Sequence, residues 1–352
     1  MLRINTGIFS VAGNEQSHTG HYAQYYFLNP RSGAVRVATF NIENLDETKN
    51  PSLEERIAVL KPQLLRLNAE ILCLQEVNGQ ERPGNKRQLL ALKTLLADTP
   101  YADYFMAVTA TSNDEPYNLR NLVTLSKYPL LTSRQIKNEY VGDLLYRRIT
   151  ALPHEAEAKE VSWERPILHV KVDHPKGPID IINIHLKSRL PASIPGQQEG
   201  FGFKTVEGWA EGYFISSIKR VGQALEVRFM IDEILDNDPN ARIIVCGDFN
   251  SEPGEVPVET IAGRIENTGN AALGFKQLIP CSNSIPRESR YSHLHEGRGN
   301  LLDHMLISRS LLAHYRSAEI HNEMLHDESI AFATDTKYPE SDHAPFVVSF
   351  DL

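Results

Sequence analysis

Arg242-Ile-Ile-Val-Cys-Gly-Asp248-Phe-Asn250-Ser-Glu-Pro253 is the stretch whose reading decides the fold of this chain. The apolar run Ile243 to Cys246 has the length of a strand and ends at a glycine. Such runs, bounded by turn residues, read as buried strands. Past the glycine a carboxylate and a carboxamide stand two positions apart, and side chains at i and i+2 of an extended chain share a face. Asp248 and Asn250 are therefore expected to point together beyond the end of a core strand, where a rigid sheet holds polar groups in place for chemistry.

The pattern recurs. Ala34 to Phe40 reads as a strand running into Asn41 and Glu43, Ile71 to Gln75 stops at Glu76, and Ile179 to Ile184 ends at His185. Two later strands, Met305 to Ile307 and Pro345 to Phe350, carry polar residues before their N-terminal ends, as Asp303-His304 and Ser341-Asp342-His343. In a mixed or antiparallel sheet the C-terminal ends of some strands lie beside the N-terminal ends of others. All of these stations are thus expected on one rim. Each alone has a plainer explanation, as a turn cap, a structural histidine or a surface ion pair; their repetition makes the case.

Between the strands, Ser52 and Glu55 have capping-box spacing. They open a helix with Ile57, Leu60, Leu64 and Leu67 on its apolar stripe and a kink expected at Pro62. A second helix is expected from Lys86 to Ala97, with Leu89, Leu92 and Leu96 inward. Leu122 to Ser126 reads as a strand, Ile167 to Val172 as a partner of Ile179 to Ile184, and the charged run Glu155 to Glu160 as a solvated loop. Residues 188–212, rich in Gly and Pro, are expected to be a substrate loop or a dimer contact. The long helix after them carries Phe214, Ile218, Val221, Leu225 and Phe229 on one stripe, expected to cover the core. Residues 1–34 carry no motif and are expected to add an arm or strand to a main domain spanning 35–352.

With 41% hydrophobic and 23% charged residues among 352, the composition is that of a globular protein able to bury a sizeable core. A formal net charge of −9 disfavours an unspecific grip on a polyanion, which depends on Lys/Arg contacts and counterion release. It leaves open a nucleic-acid substrate held by a few local contacts and a metal ion. The three cysteines have no ligand spacing, which argues against a disulfide framework and a thiolate zinc site. No run approaches the ~18 apolar residues of a membrane span, and no leader is visible, so a cytoplasmic setting is expected. No motif specifies a protein partner. The rim inventory suits a hard divalent cation: Asn41, Glu76, Asp248 and Asp342 offer the oxygen donors preferred by Mg²⁺ and Mn²⁺, whereas zinc favours His or Cys clusters. Histidines beside carboxylates suit acid–base work or neutralisation of a phosphoryl group.

The segments Thr39-Phe-Asn41-Ile-Glu-Asn44, Leu74-Gln-Glu76-Val, Asn183-Ile-His185-Leu, Gly247-Asp-Phe-Asn250-Ser-Glu-Pro253, Leu302-Asp303-His304 and Ser341-Asp342-His343-Ala-Pro345 resemble, in order, those of the endonuclease/exonuclease/phosphatase superfamily. It includes deoxyribonuclease-I-like nucleases, abasic-site endonucleases, deadenylases, sphingomyelinases and inositol-polyphosphate phosphatases. The resemblance implies an α/β fold, a four-layer sandwich of two mixed, mainly antiparallel sheets flanked by helices, acting as a divalent-metal phosphoesterase with Mg²⁺, or Mn²⁺, as cofactor. It implies that Glu76 is the principal metal ligand, with Asn41 and Asp342 completing or flanking the site. Asp248 and Asn250 match the pair that orients the attacking water and contacts the scissile phosphate. His343 matches the histidine that touches the phosphate or moves a proton, and Asp303 the carboxylate that orients it. His185 is similar to the second histidine of the deoxyribonuclease and sphingomyelinase branches, which counts against the abasic-site branch. Arg120, Asn121, Arg165 and Lys187 are expected either at the phosphate or in structural hydrogen bonds. The implied reaction is nuclease-like hydrolysis of a phosphodiester in nucleic acid. The alternatives are a phosphatase or phospholipase acting on a lipid headgroup or inositol phosphate, the lipid version being disfavoured by the lack of an evident apolar anchor, and an inactive binding module, whose mark would be loss of Glu76, Asp248 or His343.

Overall fold

The computed structural model describes residues 34–200 and 202–352. The expected N-terminal extension therefore lies outside the described residues, apart from Ala34, which opens the first strand. Two six-stranded sheets carry the rim. Numbering the sheet strands in chain order, the first sheet contains β1 (Ala34–Leu45), β2 (Ile71–Val77), β3 (Phe105–Val108), β4 (Asn121–Ser126), β11 (Tyr315–Ile320) and β12 (Phe346–Asp351), laid out as β11-β12-β1-β2-β4-β3. The second contains β5 (Leu130–Ile136), β6 (Ile167–Val172), β7 (Ile179–His185), β8 (Ile243–Asp248), β9 (Leu278–Pro280) and β10 (Asp303–Ser308), laid out as β9-β10-β8-β7-β6-β5. In each sheet one central pair is parallel, β1 with β2 and β7 with β8, and the other pairs are antiparallel.

Strand alternation builds the layers. Val37, Cys73, Ile181, Cys246, Met305 and Val348 face into the space between the sheets. Their neighbours in sequence face outward. On the outside of the first sheet, Phe40, Leu72 and Leu74 meet Leu60 and Leu64 of α1 (Leu53–Leu67) and Leu92 and Leu95 of α2 (Leu90–Leu96). On the outside of the second, Ile182, Val245 and Leu306 meet Val227, Met230 and Ile231 of α3 (Val206–Asn237) and Val258 and Ile261 of α4 (Val256–Ala262). The result is the expected four-layer α/β sandwich. Its central strands are apolar on both faces, which is why they read as continuous runs. One polar link crosses the middle layer just beneath the rim. Asn183 accepts a hydrogen bond from Gln75 Nε2 at 2.7 Å and donates to the carbonyls of Leu74 and Val123 at 3.3 and 3.0 Å, and both side chains are fully buried.

Several local expectations hold. Ser52 and Glu55 form the reciprocal capping box, and Leu60, Leu64 and Leu67 of the apolar stripe are buried. Others are corrected. The second helix begins at Leu90 rather than Lys86, because Asn85–Gln88 pairs with Gln80–Arg82 as a hairpin and Gln80 Oε1 accepts the N–H of Ala91 at 3.1 Å. The stripe expected to bury α3 is not the buried one: Phe214 and Phe229 are exposed, while Gly208, Gly212, Gly222 and Ala224 lie inward among Val227, Met230 and Ile231. Small residues mark that face because neighbours approach closely. A Cβ on Gly222 would sit 2.8 Å from the indole of the buried Trp163. The outer side of α3 instead carries Trp209 stacked on Tyr213, with Val206 and Phe214 beside them, all exposed, so an exposed apolar ridge exists where none was expected. Part of the 188–212 segment is packed. Ile194 and Ala192 pack with Ala151, Val161 and Ile215 into a small satellite core, and α3 already begins at Val206, capped by Thr205. Among the described residues no helix is long and apolar enough to cross a membrane.

Candidate active site

Register brings the strand ends together. His185 lies opposite Asp248 in the parallel pair β7–β8, and Asp248 opposite Asp303 in the antiparallel pair β8–β10. In the first sheet Asn41 lies opposite Gln75, next to Glu76, and the turn before β12 folds over the end of β1, with Ser341 Oγ donating to Asn41 O at 2.7 Å. Asn41 Nδ2 then donates to Asp248 Oδ2 at 3.1 Å, joining the two halves of the rim. Close approach of β7 and β8 requires Gly247: its φ is +137°, and a Cβ there would lie 1.9 Å from Ile184 O.

Asp248 is the buried hub. Its Oδ2 accepts from Asn41 and from Asn250 Nδ2 at 3.0 Å, with His185 Nε2 at 3.2 Å, and its Oδ1 accepts the N–H of Asn250 at 2.8 Å. Burial works to raise its pKa, but the charge of His343 and the contact of His185 prevail and hold the carboxyl well below the usual carboxylate range. The two histidines are driven apart. Burial and then the Arg165 guanidinium push His185 down, with Arg165 Nη1 2.8 Å from both of its ring nitrogens. His343 is raised well above an ordinary histidine: burial opposes its charge, and Asp303 and Asp248 overcome it. Its Nδ1 donates to Asp303 Oδ2 at 2.6 Å, and its Nε2 faces the site 4.0 Å from Asp248 Oδ2. His304, the other half of the Asp303-His304 pair, points away and meets Ser251 O at 2.8 Å.

Beside this hub lies an acidic pocket. Glu76 accepts the N–H of Asn44 at 3.1 Å and approaches His185 at 3.7 Å, and Glu43 accepts the N–H of Asp342 at 3.2 Å. Burial, then the neighbouring Asp342, pushes Glu43 up to about 8, and burial also raises Asp342. Closely set buried carboxylates that lack a matching number of cations are the condition a divalent ion relieves. Glu43 and Asp342 are two such carboxylates, and the charge of Glu76 acts on both. Backbone strain collects here too. Glu43, Asn44, Glu76 and Asn250 have φ of 48°, 46°, 61° and 49°, a left-handed region that costs a non-glycine of order 1–3 kcal/mol and tends to gather at functional sites.

The expected phosphate contacts divide. Arg120 is exposed, with Nε 3.8 Å from Glu76 and 3.2 Å from Asn44 Oδ1. Lys187 is half-buried, its Nζ donates to Ser188 Oγ at 3.0 Å, and burial pushes it down to about 8. Asn121 instead shapes a turn: its Oδ1 accepts from Tyr117 N–H and Thr109 Oγ1, and its Nδ2 donates to Val77 O and Tyr117 O, which uses every polar valence of the amide. Glu43 and Arg56 were missed as site residues. Arg56 donates to the carbonyls of Ile42, Glu43 and Pro339, tying the end of β1 to the segment before Asp342. The i, i+2 spacing of Asn41 and Glu43 was the signal available for Glu43; Arg56 left none.

A family model described as Endonuclease/Exonuclease/phosphatase family matches residues 38–343. No curated protein matches the sequence. Among solved structures the chain is similar to truncated TDP2 of Caenorhabditis elegans, at 15% identity over 91% of this chain and 98% of that one, with a TM-score of 0.54. It is similar to an AP endonuclease from Archaeoglobus fulgidus, at 14% identity over 90% and 100%, TM-score 0.51. The catalytic domain of human Nocturnin, solved with a bound sulfate anion, gives 20% identity over 90% and 93%, TM-score 0.52. At these identities the likeness speaks for the fold.

Proposed function

The chain belongs to the endonuclease/exonuclease/phosphatase family, and from that premise we propose that it is a divalent-metal-dependent phosphodiesterase, nuclease-like in substrate class, that hydrolyses by in-line attack of water. One observation carries the reading. Register and side-chain contacts bring Asp248, His185 and the Asp303–His343 pair to one rim; burial and Arg165 push His185 down while, against burial, Asp303 and Asp248 push His343 up, and titratable groups pushed apart by their surroundings divide acid from base roles.

A hard divalent cation held by Glu76, with Asn41, Glu43 and Asp342 around it, would supply charge stabilisation for the phosphate; Mg²⁺ suits these donors best and Mn²⁺ also fits. The chain's own groups do the rest. Asp248, immobilised by its donors, orients the water, while so depressed a carboxylate is a weak base. His343, aimed by Asp303, has a proton to share with the phosphate or the leaving oxygen. His185, with Nε2 3.2 Å from Oδ2, fixes Asp248. Asn250 helps hold the same carboxylate, and Arg120, beside Glu76, and Lys187, two residues after His185, are the grips for a polyanion. The three cysteines are free and buried, in keeping with a reducing compartment such as the cytoplasm.

A second reading, hydrolysis of a lipid headgroup phosphoester, is favoured by the exposed ridge of Val206, Trp209, Tyr213 and Phe214. The test is a panel of single- and double-stranded DNA, RNA, sphingomyelin vesicles and inositol phosphates with Mg²⁺ or Mn²⁺. Cleavage of nucleic acid that is lost with EDTA, with Glu76→Ala and with His343→Ala is expected. Cleavage of lipid alone selects the second reading. Activity that survives EDTA with both substitutions in place overturns both.

A further inference from the structure

Outside the hub, a second group of metal-ligating side chains meets where a hairpin, His293–His295 with Arg298–Asn300, faces α5 (Glu328–Thr334). His293 and His295 are two positions apart on a strand, so their imidazoles share a face. The rings lie 6.2 Å apart, with 18° between their planes. Both reach one carboxylate oxygen, Glu328 Oε2, from His293 Nε2 at 3.2 Å and His295 Nδ1 at 3.1 Å. Asp342 completes the group: one donor atom each from His293, Glu328 and Asp342 lie within 4.8 Å of one another. The frame is built. Asp327 caps α5 and also accepts the N–H groups of Glu296 and Gly297 at 3.1 and 2.6 Å, locking the hairpin turn to the helix that presents Glu328.

Two further observations point to a ligand. The side chain of His293 is only 9% exposed, with Nε2 turned to Glu328 Oε2, and its other nitrogen, Nδ1, has no hydrogen-bond partner, so Nδ1 can carry the proton and leave Nε2 free to ligate. A cavity of about 290 Å³, lined by Glu43, His326, Glu328, Phe332, Tyr338 and Asp342, opens beside the cluster and gives an ion a way in.

We propose that His293, His295, Glu328 and Asp342 form a second cation site that takes a borderline transition metal, of the Mn²⁺, Co²⁺ or Zn²⁺ kind, in preference to Mg²⁺. Imidazole nitrogen with carboxylate oxygen is the donor set of such metals, whereas Mg²⁺ prefers oxygen alone. Ligands about 2.0–2.2 Å from a metal stand roughly 3.0–3.5 Å from one another, and the two histidines stand at that separation from Glu328. Asp342 lies between this site and the acidic pocket of Glu43 and Glu76, so an ion here adds charge next to the hydrolytic rim. Nothing in this proposal requires that the rim hydrolyse a phosphodiester.

The test uses Co²⁺ as a spectroscopic probe on the full metal-stripped chain, with bound metal counted by elemental analysis. The parent protein is expected to take up one Co²⁺ more than a His293→Gln/His295→Ala variant, and to show visible absorption bands the variant lacks. Millimolar Mg²⁺ should leave those bands in place. Equal uptake and equal spectra in parent and variant overturn the site. If the double variant does not fold, Glu328→Gln, at a half-exposed helix position, is expected to weaken Co²⁺ binding at least tenfold; unchanged affinity there overturns the site equally. Histidine-dependent binding in a protein that cleaves nothing upholds this site and removes the hydrolytic reading, and Mg²⁺-supported cleavage without such binding does the reverse.

Discussion

Replacing Gly247 by alanine puts a methyl group where two strands already touch. Its Cβ would fall 1.9 Å from the carbonyl oxygen of Ile184, on a backbone held at φ +137°. Relaxing that contact to the 3.4 Å of ordinary van der Waals approach opens it by about 1.5 Å, and the obstacle is backbone, which cannot swing aside as a side chain would. Overpacking of this kind costs about 1–3 kcal/mol, and an unfavourable φ adds a further ~1–3 kcal/mol. The combined loss of about 2–6 kcal/mol is a large share of the ~5–15 kcal/mol of a typical fold. Gly254 isolates the backbone share, since its φ is +89° with nothing within 4 Å of a Cβ. Gly254→Ala should lose only the strain portion. Urea unfolding followed by circular dichroism measures both variants. Because His185 and Asp248 flank the contact, displacement on the order of 1 Å should also lower hydrolysis about 10²-fold. A Gly247→Ala protein within ~0.5 kcal/mol of the parent, or no less stable than Gly254→Ala, would refute the reasoning.

Asn183→Leu should cost about 1–3 kcal/mol, because the buried amide of Gln75 keeps Thr39 Oγ1 but loses its shortest acceptor, and the carbonyls of Leu74 and Val123 lose a donor; a urea midpoint unchanged from the parent would show that the link between the sheets is dispensable. In metal-free protein the His343 imidazole should titrate well above an ordinary histidine, and Asp303→Asn should bring it down, as read by NMR of the ring protons. Since its folded pKa lies above the unfolded value of about 6.5, the protonated ring stabilises the fold fully below that pH, and the contribution fades as pH rises through the folded pKa. Stability from His343 that grew on raising the pH through that window would contradict the pairing. Ser52→Ala should lower stability by about 1 kcal/mol through loss of the α1 cap; a urea midpoint equal to the parent's would show that the capping box contributes nothing.

The rim was legible because each strand that carries it is apolar on both faces, so a polar residue at its end stands out. Asn41, Glu76, His185, Asp248, Asp303 and His343 all sit where that contrast put them. Glu43 was harder to read, since the chain turns left-handed there and simple alternation no longer says where its side chain goes. For Asn121 the sequence left a phosphate contact and a structural hydrogen bond both open, and its amide is consumed by a turn that only the folded chain displays. The buried face of α3 misled because closeness, not size, decides it: glycines mark the contact and large aromatics mark the outside. His293 and His295 lay in a stretch with no strong pattern, and the carboxylate they share comes from Glu328, far along the chain. No local spacing records such a meeting.

The helix α3 also separates the chain's two indoles. Trp163 is sealed against Gly222 at 1% exposure, while Trp209 stands on the outer ridge at 47%. A water-soluble quencher should therefore extinguish the longer-wavelength emission of Trp209 first and leave a blue residue from Trp163. One emission spectrum then carries two channels, one answering to whatever settles on the ridge and the other to loosening of the interior, with no label attached.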